Sequence, residues 1–347
     1  MTRASTSSSR FEPPIPAQAT TQRVFHDGLV ALLAAPYPAH LAIALSGGAD
    51  SLALTLLAQE WATAHGIGVV ALTVDHRLRE DSTAEAQHVA NLMRDHGITH
   101  HILTPEHTPA GNNLMQAART WRYDALTDFC RAHTISHCLL GQHLDDQLET
   151  VALAHARGRD TLDLTAERSE GEAGMRPTRL YRGVKFLRPL LTFPKRDLIA
   201  YLRARHVTWV EDPTNTDPRF ARVRMREQLA NDPNLAHALH STLAARTAAR
   251  EARDAALAEA MPSCVHMLGG TATLNLSQWQ SLASELRSLL LANLIRSIGG
   301  KPHRPRRHET ERLVQALLGE QQGKRTLGHC VISWKNGTAT IRPEPRL

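Results

Sequence analysis

A chain of 347 residues, 42% of them hydrophobic, is long enough for two or three domains and a sizeable core. It has no apolar run of eighteen residues, and the Ser/Thr-rich start Met1 to Thr21 has no apolar signal-type stretch, so a membrane span and a secretory signal are unsupported and a cytoplasmic location is expected. The formal charge is only +6, and the widely spaced Cys130, Cys138, Cys264 and Cys330 include no C-x-x-C pair, which argues against a zinc ribbon, a dithiol site and a disulfide scaffold.

In chain order, residues 1–22 are rich in Ser, Thr, Pro and Ala and are expected to form a disordered tail. From there to residue 227, short apolar runs alternate with longer helical patterns. Strands are expected at Leu41 to Leu45, Val69 to Val74, His101 to Leu103 and Cys138 to Gly141, with helices at Leu52 to Ala64, Ser82 to His96 and Leu114 to His133. This alternation predicts an α/β domain over 23–227, a doubly wound and mostly parallel sheet whose ligands sit at the carboxyl ends of the strands. Arg157 to Arg182 reads as a long mobile loop, followed by a helix around Phe193 to His206, a short strand Thr208 to Val210 and a turn Glu211 to Asp217. Residues 228–347 read as a mainly helical, basic region: long helices at Leu235 to Met261 and Leu282 to Ile298, then a hairpin formed by Leu327 to Ile332 and Thr338 to Ile341. From Lys301 onward there are ten Lys or Arg against four Glu, so the tail carries the whole charge excess. Arg304, Arg306 and Arg307 cluster there, a pattern that fits a phosphate backbone or a solvated charged face.

Directly behind the first apolar run stands Ser46, Gly47, Gly48, Ala49, Asp50, Ser51. Glycines in a strand-to-helix turn let an anion reach the outward N–H groups of the helix start, and the serines add donors. A Walker A loop is excluded because no Lys follows the glycines. A carboxylate beside phosphates calls for magnesium between them. After the second strand, Asp75 and His76 line the expected nucleotide crevice or cap a turn. After the fourth come His143, Asp146 and Glu149, which share one helical face and stack two carboxylates that need a cation among them. Arg119 lies four residues before Tyr123 on a helix, and Arg222, Arg224 and Arg226 alternate in an expected turn region where they could neutralise a polyanion.

The pattern S-G-G-x-D-S resembles the pyrophosphate-binding loop of the N-type ATP pyrophosphatases, which split ATP into AMP and pyrophosphate. With V-D-H-x-L-R from Val74, A-R-x-x-R-Y from Ala118, H-x-D-D-Q-x-E-T from His143 and E-D-P-x-N from Glu211 before an Arg-rich segment, five ordered blocks resemble the tRNA(Ile)-lysidine synthase family. Gln142 stands where a His is frequent, and Val223 where an Asn is. The resemblance implies an adenine nucleotide alpha-hydrolase-like sheet with a mainly helical C-terminal region. It further implies ATP and Mg2+ as substrate and cofactor, free L-lysine and the CAU-anticodon isoleucine tRNA as partners, and no membrane. By the same resemblance Ser46, Gly47, Gly48, Ala49, Asp50, Ser51, Asp75 and His76 would bind ATP, and Asp50 and Asp146 the metal. Asp50, Arg119, His143, Asp146 and Glu149 would carry catalysis, and Arg222, Arg224, Arg304, Arg306 and Arg307 would contact tRNA. Two rivals stay open: a PP-loop tRNA thiolase, which would need a thiol in the site, and a non-catalytic ATP-binding sensor.

Overall fold

The computed structural model describes residues 16–75, 82–104, 114–156, 174–211, 217–301 and 303–345. The chain divides into one compact unit of residues 1–153 with 175–237 and a second of 154–174 with 238–347, ten residues beyond the expected boundary at 227.

The first unit is built on a sheet in the order β3-β2-β1-β4-β6-β5. Strands β1 (His40–Ala44), β2 (Gly68–Val74), β3 (Thr99–Leu103), β4 (His137–Leu139) and β6 (Val184–Leu187) run parallel, and β5 (Thr178–Tyr181) closes the edge antiparallel to β6. Side chains alternate across each strand. On β1, Leu41 and Ile43 enter the core that holds α1 (Pro16–Leu33), α2 (Ala49–Ala64) and α6 (Lys195–Arg203), while Ala42 joins Tyr123, Leu126 and Cys130 of α4 (Leu114–Ala132) on the opposite face. With both faces covered, the central strands β1 and β2 are apolar nearly throughout, which is why they read as continuous hydrophobic runs. Helices α3 (Ser82–Asp95), α5 (Leu144–Ala154) and α7 (Ala221–Asn231) complete the unit.

Three expectations change here. Residues 16–22 of the expected disordered tail are helical, because α1 buries Phe25, Leu29 and Leu33 and the helix extends back to Pro16 from that anchor. The expected loop Arg157 to Arg182, whose residues 157–173 lie outside the described set, ends in β5. Arg182 (φ 46°) and Gly183 (φ 89°) form the two-residue turn of the β5–β6 hairpin. The expected strand Thr208 to Val210 has no strand partner; Val210 N instead donates to Gly47 O at 3.0 Å.

The second unit combines the greater part of α8 (Pro233–Cys264) with α9 (Leu276–Ser281), α10 (Ser284–Ile298), α11 (Arg307–Gly319) and an antiparallel sheet ordered β7-β8-β11-β10-β9. The strands are β7 (Val265–Leu268), β8 (Thr271–Asn275), β9 (Gly323–Leu327), β10 (Cys330–Lys335) and β11 (Thr338–Pro343). Helices dominate, as expected. The expected hairpin is β10–β11, turned by Asn336 (φ 51°) and Gly337 (φ 76°). Its core gathers Trp279, Leu291, Ile295, Ile332 and Ile341. No helix among the described residues is long and apolar enough to cross a membrane.

Candidate active site

The sheet order reverses at β1, whose neighbours are β2 and β4, so a crevice opens beyond the carboxyl ends of β1 and β4. Two segments meet there: the loop into α2 and the loop into α5. Gly141 makes the approach possible, since a Cβ there would lie 3.2 Å from Ser51 N.

The first loop is held by its own serines. Ser46 N donates to Ser51 Oγ at 3.1 Å, Ser51 Oγ donates to Gly48 O at 3.0 Å, and the two hydroxyls lie 3.1 Å apart. The first amides of α2 have no intrahelical acceptor and carry the positive end of the helix dipole toward the crevice. Gly47 has φ +85°, and a Cβ there would lie 2.6 Å from Cγ2 of the buried Val89. Gly47→Ala is therefore expected to lower unfolding free energy by about 2–4 kcal/mol, from left-handed backbone strain plus overpacking. Urea denaturation of the two proteins measures it, and coincident curves would refute the loop geometry.

The second loop supplies charge. His143, 2% exposed, precedes α5; its N–H donates to Asp146 Oδ2 at 3.1 Å, one half of a capping box, and its carbonyl accepts the first helical bond from Gln147 N at 3.2 Å. Its ring is surrounded by acids: Nε2 lies 3.4 Å from Asp50 Oδ2 and 3.6 Å from Asp146 Oδ2, and Nδ1 lies 3.4 Å from Asp145 Oδ2. Burial opposes a charged imidazole, but Asp145, Asp50 and Asp146 outweigh it and raise the His143 pKa to about 10. Burial likewise raises Asp50 and Asp145, yet His143 and Lys195 overcome it, leaving Asp50 below the usual carboxylate range and Asp145 at about 2. His143 at neutral pH is thus an imidazolium, an electrostatic group and not a base.

The folded pKa of His143 exceeds its ordinary value of 6.5, so its contribution to stability is complete below that pH and is lost as pH rises through about 10. The stability difference between the wild type and His143→Gln is expected to shrink between neutral pH and pH above 10. Paired denaturation curves at several pH values check this, and a difference that stays constant would refute it.

Glu149, 1% exposed, accepts from Arg226 Nε at 2.8 Å, while its Oε2 is buried with no hydrogen-bond partner among the described residues. Asp50 Oδ1 is similarly buried and unpartnered. Lys195 reaches Asp50 Oδ2 with Nζ at 3.6 Å and donates its backbone N–H to Asp145 Oδ2 at 2.8 Å. Among the described residues no group of three or more His, Cys, Asp or Glu side chains is set to hold a metal alone. The orphaned Asp50 oxygen suits magnesium that takes its remaining ligands from substrate phosphates and water.

Ser46, Gly47, Gly48, Ala49, Asp50, Ser51, His143, Asp146 and Glu149 are therefore brought to one crevice. Asp75 sits at the end of β2, 4% exposed, with Oδ2 accepting from Thr83 Oγ1 at 2.9 Å; His76 lies outside the described residues. Arg119 is exposed, its guanidinium 5.5 Å from the Tyr123 ring centre. The expected turn around Arg222 and Arg224 is helix α7, and a helix does not align alternate residues. Arg222 is exposed, whereas Arg224 Nη1 folds back onto Pro218 O and Arg219 O at 2.7 and 2.9 Å. In the second unit, Arg304 donates to Asn293 Oδ1 and Arg307 to Glu311 Oε1, with Arg306 exposed between them at the start of α11. Lys195, Arg226 and Asp145 were not selected from the sequence. Arg226 shared the signal of the arginine triplet, and Asp145 stood inside the acidic motif.

Residues 21–233 match the PP-loop domain family. A tRNA(Ile)-lysidine synthase of Mesorhizobium japonicum is 43% identical over 192 residues, 54% of this chain and 42% of that protein. Another, of Ruegeria pomeroyi, is 32% identical over 307 residues, 88% of this chain and 71% of that protein. The chain thus spans less than half of the first relative's length and under three quarters of the second's. In fold it is similar to the U34-tRNA thiolase NcsA from Methanococcus maripaludis (TM-score 0.51, 16% identity, covering 69% of this chain and 85% of that one).

Proposed function

The chain belongs to the tRNA(Ile)-lysidine synthase family of PP-loop proteins, and from that premise we propose that it joins L-lysine to C2 of the wobble cytidine in the CAU-anticodon isoleucine tRNA. The observation that carries this reading is one crevice holding both an anion-binding helix start and a buried carboxylate with a spare oxygen, Glu149 Oε2. The first suits ATP and the second a cationic nucleophile.

In this reading the C2 carbonyl oxygen attacks the α-phosphorus of ATP and pyrophosphate leaves. The ε-nitrogen of lysine then attacks C2, AMP departs with the former carbonyl oxygen, and the nitrogen loses its protons. Ser46, Gly47, Gly48, Ala49 and Ser51 would line the departing pyrophosphate. Asp50 with Asp146 would hold Mg2+, whose charge offsets that of the phosphates. His143 would stand near the nucleotide with Asp145 beside its Nδ1 at 3.4 Å. Glu149 would accept a hydrogen bond from the ammonium. A cytidine in an anticodon loop is cheap to unstack, which exposes its C2 edge.

The thiolase alternative needs a reactive thiol. All four cysteines are buried, and the Cys138 thiol is held well above its ordinary pKa by hydrogen bonding with Cys130 and by burial, inside the apolar core against α4. The deciding experiment incubates the protein with ATP, radiolabelled lysine and isoleucine tRNA transcripts. Label in CAU transcripts alone is expected; unlabelled RNA would overturn the assignment.

A further inference from the structure

In the first unit, near the carboxylate cluster, three guanidiniums gather around one tyrosine. Tyr123 of α4 packs edge-on against Phe186 of β6 at 4.9 Å and against Tyr181 of β5 at 5.7 Å. The Arg119 guanidinium lies 5.5 Å from the Tyr123 ring centre and that of Arg179, on β5, 5.1 Å, with Arg179 also 5.6 Å from the Tyr181 ring. Arg188, 5% exposed, donates Nη2 to the Tyr123 hydroxyl at 3.2 Å and Nε to Gln142 Oε1 at 3.0 Å, so the array adjoins the residue before His143.

The three guanidiniums have one sign, and the carboxylate beside them, Asp124, already accepts from the Tyr181 hydroxyl and from Arg182 Nη1, each at 2.9 Å. Burial lowers the Arg188 pKa, and Arg119 and Arg179 lower it further. Arg119 and Arg179 form no hydrogen bond or ion pair among the described residues. On the same hairpin Arg182 is compensated, at 2.9 Å from Asp124 and 3.2 Å from Asp128. Cations kept together with no carboxylate bonded to them favour an incoming anion. A guanidinium held over an aromatic ring keeps its N–H edge available for bidentate pairing with phosphate.

We propose that Arg179, together with Arg119 on Tyr123, seats a phosphodiester of the RNA substrate beside the nucleotide being modified, making edge strand β5 part of the RNA-binding surface. This rests on the RNA-modifying reading above. The occupant favoured is loop RNA and not an acidic peptide, because guanidinium forks pair bidentately with phosphate and the array adjoins, through Arg188 and Gln142, the crevice assigned above to the RNA reaction.

The test uses the full chain and a CAU-anticodon isoleucine tRNA transcript, with filter-binding affinities measured between about 50 and 200 mM salt. Arg179→Ala is expected to weaken binding about tenfold and to make the salt slope shallower by about one. Arg179→Lys is expected to restore the slope but only part of the affinity, because the charge returns without the fork. Arg182→Ala removes the same charge from the same hairpin and is expected to change affinity by less than about twofold, since that charge is already compensated. Equal losses in the Arg179 and Arg182 variants, or an Arg179→Ala protein that binds like wild type, would overturn the proposal while leaving the enzyme assignment standing. A wild-type protein that binds no RNA would overturn both. Thermal melting of each variant separates lost contacts from lost folding, and recovery of the slope by the lysine variant is a readout that misfolding cannot produce.

Discussion

Asp50→Asn is expected to lower kcat for ATP-dependent tRNA modification by about 10²- to 10³-fold, the usual loss when one preorganised electrostatic group is removed from a phosphoryl-type site. The substitution keeps the shape of the side chain at the start of α2 and deletes its charge. Asp50 is held below the ordinary carboxylate range, so the wild-type group is ionised throughout the neutral range and the defect should not vary with pH between about 6 and 8. His143 keeps Asp145 and Asp146 as partners, at 3.4 and 3.6 Å, so the imidazolium survives and folding should change little. What is lost is a buried carboxylate oxygen in the Ser46 to Ser51 loop that has no hydrogen-bond partner among the described residues. ATP–pyrophosphate exchange with tRNA present would report the defect directly. If exchange persists and only thermal stability falls, Asp50 serves as the anchor of His143 and Lys195 and not as the metal-facing group.

How far the sequence reveals this site depends on how local each interaction is. The run Leu41 to Leu45 followed by two glycines announces a buried strand and an anion-binding turn because every part lies within a dozen residues. His143, Asp146 and Glu149 are legible as a shared helical face for the same reason. Lys195 and Arg226 are not, because they reach Asp50 and Glu149 across 145 and 77 residues, and only the closure of the sheet brings them there. The β5–β6 hairpin was hidden by its turn: Arg182 takes a positive φ that composition assigns to Asn or Asp. The β7–β8 hairpin was not among the expected elements, although Gly269 and Gly270 at its turn and the alternation of Thr271 to Asn275 carry a local signal for it. Arg222 and Arg224 show the reverse error. Alternate spacing implies a common face only in extended chain, and on helix α7 it separates them.

The pairing of Glu149 with Arg226 can be divided into a structural part and a binding part, since the two partners differ in exposure: 1% for the carboxylate and 40% for the guanidinium. Arg226→Gln would strand a fully buried carboxylate and is expected to destabilise the protein by about 3–5 kcal/mol. Glu149→Gln leaves a half-exposed guanidinium that water can solvate, and the amide keeps a carbonyl acceptor for it, so the stability cost should be the smaller of the two. Its larger effect should fall on lysine. A buried carboxylate oxygen facing an ammonium contributes a charge-assisted hydrogen bond whose loss costs about 2–5 kcal/mol, so the KM for lysine should rise by about 30-fold or more. ATP–pyrophosphate exchange, which precedes lysine attack, should remain within a few-fold of wild type. Lysine-saturation curves and exchange assays on the same preparation separate the two steps. An unchanged lysine KM would assign Glu149 to holding α7 against α5 and would leave the cationic nucleophile to be bound elsewhere in the crevice.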